Sequence, residues 1–130
     1  MSNVFVFLLA ESPPNQHEIY FENLLGPIFD KIKPISIARI KANLLTKTPN
    51  IVENTFHSDM VGHVSEEKLK HWTTSIFYVN TNNGYTVFED GTKVESVANR
   101  MISFPANMKH TGTSCTDERT RVIINFNYFK

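Results

Sequence analysis

His57-Ser58-Asp59 sets an imidazole and a carboxylate two residues apart. If this segment is extended, side chains i and i+2 share one face, so both groups can approach a single ion. His110 supplies a third ligand from a later β-prone run, beyond the Phe104-Pro105 break and close to Gly112. Two histidines and one carboxylate form a facial triad with open coordination positions, the donor set that suits non-haem Fe(II). Zinc sites more often recruit further His or Cys. The H-x-D pair alone is also ordinary polar strand surface, and His63 and His71 compete as ligands, although both fall in a polar stretch over 60–71. His17 lies in the polar lead of a helical stretch and is expected to be structural.

The last β-prone run carries the second chemical group. Over residues 121–128, Arg121, Ile123, Asn125 and Asn127 share one face, while Val122, Ile124, Phe126 and Tyr128 share the other and read as core. A guanidinium at the start of the more polar face can hold a carboxylate through two parallel hydrogen bonds beside the metal. The ordinary alternative is a solvated charge at a strand end. Arg119 has the same parity and stays open as an alternate, but the turn Thr116-Asp117-Glu118-Arg119 favours its exposure.

Positioning these groups calls for a small antiparallel framework. The runs 35–45, 51–59, 72–80, 85–88, 93–97, 100–104, 109–113 and 119–129 are short, β-prone and separated by turn residues, the texture of a double-stranded β-helix or jelly roll. Asn82-Asn83-Gly84 and Asp90-Gly91 offer positive-φ positions for tight hairpins. Ahead of the strands, Phe21, Leu24, Leu25, Ile28, Phe29 and Ile32 recur at helical spacing and predict a helix covering one sheet. Gly26-Pro27 interrupts it, predicting a kink or two short helices in series. An additional strand is expected over 4–10, and the polar stretch 60–71 is a candidate lid. Asn43, on the strand before H-x-D, is a candidate pocket-lining residue.

With 130 residues and 41% of them hydrophobic, the expectation is a single mainly β domain, in which 1–34 provide an N-terminal strand and helical support and 35–129 form the core. Thirteen basic residues balance thirteen acidic ones without a like-charged run, which argues against nucleic-acid and membrane partners. The lone Cys115 has no intramolecular partner and no neighbouring catalytic histidine pattern, so a reducing cytoplasm is expected. The apolar run at 4–10 is too short to span a bilayer and lacks the features of a cleaved signal.

The order His57-x-Asp59, Ile76-Phe77-Tyr78-Val79-Asn80, Gly84-Tyr85-Thr86-Val87-Phe88, Asn99-Arg100-Met101-Ile102-Ser103-Phe104, His110 and Arg121-Val122-Ile123-Ile124-Asn125-Phe126 resembles the 2-oxoglutarate- and Fe(II)-dependent dioxygenases, and most of all their prolyl 4-hydroxylase-like branch. The likeness runs from about residue 35 to 129. It implies His57, Asp59 and His110 as iron ligands, with Arg121 pairing the distal carboxylate of 2-oxoglutarate and Tyr78 hydrogen-bonding the same group. Two extra residues between His110 and Arg121, compared with some relatives, keep Arg119 in contention. The implied reaction hydroxylates a C–H bond, with a prolyl residue, another peptide or protein side chain, or an amino acid as substrate. It consumes O2 and 2-oxoglutarate and releases succinate and CO2, with ascorbate as a candidate auxiliary reductant. A cupin-like binder of a metal or small acid without turnover is the rival reading, because fold alone does not prove activity. Exposed edge strands permit a homodimer.

Overall fold

The computed structural model describes residues 2–6, 21–60, 62 and 64–130. In chain order these form β1 (Ser2–Val6), a π-helical turn (Phe21–Leu25), α1 (Gly26–Ile32), β2 (Ser36–Thr46), α2 (Glu66–Leu69), β3 (Trp72–Tyr78), β4 (Tyr85–Phe88), β5 (Lys93–Glu95), β6 (Met101–Pro105), β7 (His110–Gly112) and β8 (Thr120–Phe129). Every named strand pair is antiparallel, in a five-stranded sheet ordered β1-β2-β8-β3-β6 and a three-stranded sheet ordered β5-β4-β7. The architecture is the expected double-stranded β-helix. Of the strand expected over 4–10, residues 7–10 lie outside the described residues, as do His17 and His63.

The helical stretch divides at Gly26-Pro27: a π-helical turn ends at Leu25, and Pro27 occupies the first turn of α1, where no amide hydrogen is needed. Lys33, in a left-handed conformation with φ of 48°, ends α1 by donating its amide to the Phe29 carbonyl. Leu25, Ile28 and Ile32 then pack on Ile40, Ile124, Phe126 and Tyr128, covering the large sheet on the face away from the small one. Each such aliphatic or aromatic side chain contributes about 1.5–3 kcal/mol on leaving water. The opposite face of β8 points between the sheets, which is why Ile123 joins Ile76, Tyr78, Phe88 and Phe104 in a second cluster. With both faces covered, β8 is buried along nearly its whole length.

Two expectations need correction. The run 51–59 is not a regular strand; it runs along the β7 edge of the small sheet as an extended segment, joined to it among the described residues by the isolated antiparallel bridges Glu53↔Thr113 and His57↔His110. Side chains replace parts of a ladder there, since the Val52 amide donates to Ser114 Oγ at 3.0 Å and Asn54 Nδ2 donates to the Gly112 carbonyl at 3.2 Å. Gly91 has the expected positive φ of 89°, but Gly84 does not have a positive φ. What Gly84 provides is space: a Cβ there would lie 2.6 Å from Arg121 Cδ and 2.7 Å from the Ser114 carbonyl oxygen.

The stretch 60–71 contains the one-turn helix α2, whose Leu69 packs with Met60 and Ala106. Among the described residues, no helix is long and apolar enough to cross a membrane.

Candidate metal centre

His57 and His110 face each other directly across the small sheet's edge, exchanging backbone hydrogen bonds of 3.0 and 2.9 Å. Their rings stand 4.8 Å apart. Asp59, two residues beyond His57, places Oδ1 3.6 Å from His57 Nε2 and 3.8 Å from His110 Nε2. The ligand atoms of all three lie within 4.8 Å of one another. Among the described residues this is the group of His, Cys, Asp and Glu side chains able to hold an ion together.

Hydrogen bonding fixes which atoms are presented. His57 Nδ1 donates to the Thr55 carbonyl at 3.1 Å and His110 Nδ1 to the Met108 carbonyl at 3.0 Å. Because a carbonyl only accepts, each Nδ1 carries a proton, which leaves Nε2, on the carboxylate side, as the ring nitrogen able to ligate. Burial is the main force holding the His110 imidazole below its ordinary pKa, so it stays neutral and able to ligate. Its ring also lies against Phe104, centroid to centroid 4.8 Å. Asp59 is held from behind: its Oδ2 accepts from Asn127 Nδ2 at 3.0 Å and from Thr74 Oγ1 at 3.2 Å, leaving Oδ1 on the histidine side. Asn127 also donates to Thr74 Oγ1 at 2.9 Å, which ties β8 and β3 into one support.

The triad opens on a cavity of about 570 Å³ between the sheets. Arg121 lines the same cavity and is fully buried. Its Nε donates to Ser96 Oγ at 2.8 Å and its Nη2 to Thr86 Oγ1 at 3.3 Å, but its Nη1 is buried with no hydrogen-bond partner among the described residues. Nη1 lies beside Gly112, where a Cβ would approach it to 3.2 Å. Among the described residues no carboxylate pairs with this guanidinium, and burial lowers its pKa. An unpaired donor on a buried cation is costly and is relieved by an anion. Arg119, the alternate, is exposed.

Tyr78 stands behind this cation. Its hydroxyl donates to Thr86 Oγ1 at 2.7 Å, its ring centroid is 5.8 Å from Arg121 Cζ, and it is not part of the cavity wall. Thr86 does line the cavity and accepts from both Tyr78 and Arg121, so its own hydroxyl hydrogen remains to be donated. Any influence of Tyr78 on a bound carboxylate therefore passes through Thr86 and Arg121. Asn43 lines the cavity, whereas His71 is exposed and takes no part in it.

Sequence reasoning missed Thr74, Thr86, Ser96, Arg39 and Lys41. Alternation on β2 carries a signal for the last two, since Arg39, Lys41, Asn43 and Leu45 are spaced by two and all line the cavity. Thr86 follows from the same rule on β4. Ser96, in a loop, has no such signal.

No protein-family model matches the chain, and no curated protein matches it. Solved structures do resemble it in fold. A cupin superfamily protein from Desulfitobacterium hafniense aligns over all of this chain and 79% of its own, at 8% identity and a TM-score of 0.54. The non-haem monooxygenase ThoJ, in its nickel complex, aligns over 73% of this chain at 11% identity and a TM-score of 0.58. The aligned part spans 44% of the ThoJ chain. The chain has the double-stranded β-helix fold of the cupins.

Proposed function

We propose that this chain is a non-haem Fe(II), 2-oxoglutarate-dependent dioxygenase that hydroxylates a C–H bond. The observation that carries the reading is the pairing, in one cavity, of a His-Asp-His group with a buried arginine whose Nη1 has no partner. The donors fit the metal: two imidazole nitrogens and one carboxylate oxygen suit Fe(II) and leave positions for other ligands. A non-haem monooxygenase with the same fold supports an oxygenase by analogy.

Bound iron, with 2-oxoglutarate and O2, would supply the oxidising power for C–H hydroxylation and release succinate and CO2. His57, Asp59 and His110 would hold the metal, oriented by Thr55, Met108, Thr74 and Asn127. Arg121 Nη1 and the Thr86 hydroxyl would donate to the distal carboxylate of 2-oxoglutarate, with Tyr78 and Ser96 fixing those donors. Ile76 and Ile123 give the wall between these two ends an apolar surface. A prolyl residue is the substrate implied by the resemblance to the prolyl 4-hydroxylase-like branch.

The test is an anaerobic titration with Fe(II) and then 2-oxoglutarate, followed by the visible metal-to-ligand charge-transfer absorbance. The band is expected in the wild type, absent in His57→Ala, and shifted to much higher 2-oxoglutarate in Arg121→Met. Folded protein that binds no Fe(II) and gives no band sinks the assignment. A band without succinate release in air, across a substrate screen, would favour a cupin-like binder.

A further inference from the structure

The cavity wall contains three cationic side chains, Arg39, Lys41 and Arg121, against one carboxylate, Asp59. The chain as a whole is neutral, so this imbalance is local. In the dioxygenase reading, Asp59 is committed to the metal and Arg121 to 2-oxoglutarate, a dianion whose charge offsets that of the Fe(II) it chelates. Arg39 and Lys41 are then left over.

Both stand on β2, two residues apart, on the face that lines the cavity. Arg39 is anchored by Nε donating to Asn127 Oδ1 at 3.1 Å, and its Nη2 lies 3.8 Å from Asp59 Oδ1, the oxygen that faces the histidines. A metal on that oxygen would put a second cation beside Arg39 and weaken this contact. The Lys41 side chain makes no hydrogen bond or ion pair among the described residues, and burial together with the neighbouring Arg39 disfavours its charged form. Directly across the β2–β8 register from Lys41 is Asn125. Asn125 is 7% exposed, lines the cavity, and has a buried Oδ1 with no partner among the described residues. Two like charges on one wall are unfavourable until an anion arrives, and Asn125 Nδ2, which also makes no hydrogen bond among the described residues, is the amide atom able to donate to it, while its Oδ1 can only accept.

We propose that Arg39, Lys41 and Asn125 form a second anion subsite, separate from Arg121, that takes the acidic group of the molecule to be oxidised. The substrate class is thus a small carboxylate-, sulfate- or phosphate-bearing compound in place of a neutral prolyl ring. The substrate assignment rests on the dioxygenase reading; the anion subsite itself does not.

Inorganic sulfate is the probe, titrated calorimetrically into the anaerobic Fe(II) protein at saturating 2-oxoglutarate, and again into the metal-free protein. Sulfate should bind the wild type without displacing 2-oxoglutarate. Binding should weaken about tenfold in Lys41→Met, the scale of one lost charge-assisted contact, and recover in Lys41→Arg. Equal affinity in wild type and Lys41→Met, competition with 2-oxoglutarate, or no sulfate binding by the folded wild type overturns the subsite. The charge-transfer band is read independently: its absence defeats the dioxygenase reading, while the Lys41 dependence of the isotherm decides this one.

Discussion

At the scale of single residues, the site gives up stability for binding. Arg121 is a buried cation satisfied by two neutral hydroxyls and left with an unpaired Nη1. Replacing a buried charged group with an apolar one of similar volume is often neutral or stabilising. Arg121→Met should therefore unfold at the same or higher denaturant concentration, while its 2-oxoglutarate affinity drops about 100-fold, or roughly 2.7 kcal/mol. Parallel denaturation and charge-transfer titrations measure the two effects. His110 gives a pH dependence of definite sign. In the unfolded chain its imidazole takes a proton as the pH falls through about 6.5. The folded imidazole, held down mainly by burial, resists until a lower pH. The unfolded state binds more protons in that window, so stability present above about pH 6.5 is lost as the pH falls towards the folded value. Thermal melts of the metal-free protein should shift down on acidification, and the shift should shrink in His110→Gln.

Among the elements, what the sequence made legible was set by periodicity, and what it hid was set by close approach. Alternation placed Arg121 and Asn127 on one face of β8, and the structure shows that face turned between the sheets, with Arg121 on the cavity wall. Helical spacing with Gly26-Pro27 announced the break before α1. The segment 51–59 was harder, because its β-prone residues are bound partly by Ser114 and Asn54 side chains, which no periodic pattern records. Gly84 was misread for a related reason: its composition suggested a turn conformation, but its function is to let Arg121 Cδ and the Ser114 carbonyl pass close to the backbone. Gly84→Ala should cost about 1–3 kcal/mol by overpacking, because one of the three close contacts, the Ser114 carbonyl, is rigid backbone. It should also weaken 2-oxoglutarate binding by moving Arg121. Gly112→Ala differs, since its Cβ would meet the end of the Arg121 side chain, Nη1, at 3.2 Å. Its stability loss should be the smaller of the two in chemical denaturation, while its effect on 2-oxoglutarate remains.

Across the whole molecule, the candidate ligands join parts that the chain otherwise holds loosely together. His57 and Asp59 belong to the extended segment 51–59, which among the described residues bridges the small sheet at two positions, and His110 belongs to that sheet. Asp59 reaches the large sheet through Thr74 on β3 and Asn127 on β8. An ion on all three ligands would clip the segment to both sheets at once. Binding to the native state alone at 100 times Kd adds about 2.7 kcal/mol, which in a domain of this size raises Tm by roughly 10 °C. His57→Ala is the informative control: its side chain is 53% exposed, so the metal-free protein should melt close to the wild type, yet most of the metal-induced rise should vanish. Hydrogen exchange locates the effect. Ni(II) or anaerobic Fe(II) should slow exchange at the paired amides of His57 and His110 more than in the α1-covered face of the large sheet, which is already held by its own apolar core. Uniform protection across both sheets would mean that the ion binds elsewhere, because only a ligand at this junction stabilises the segment 51–59 selectively.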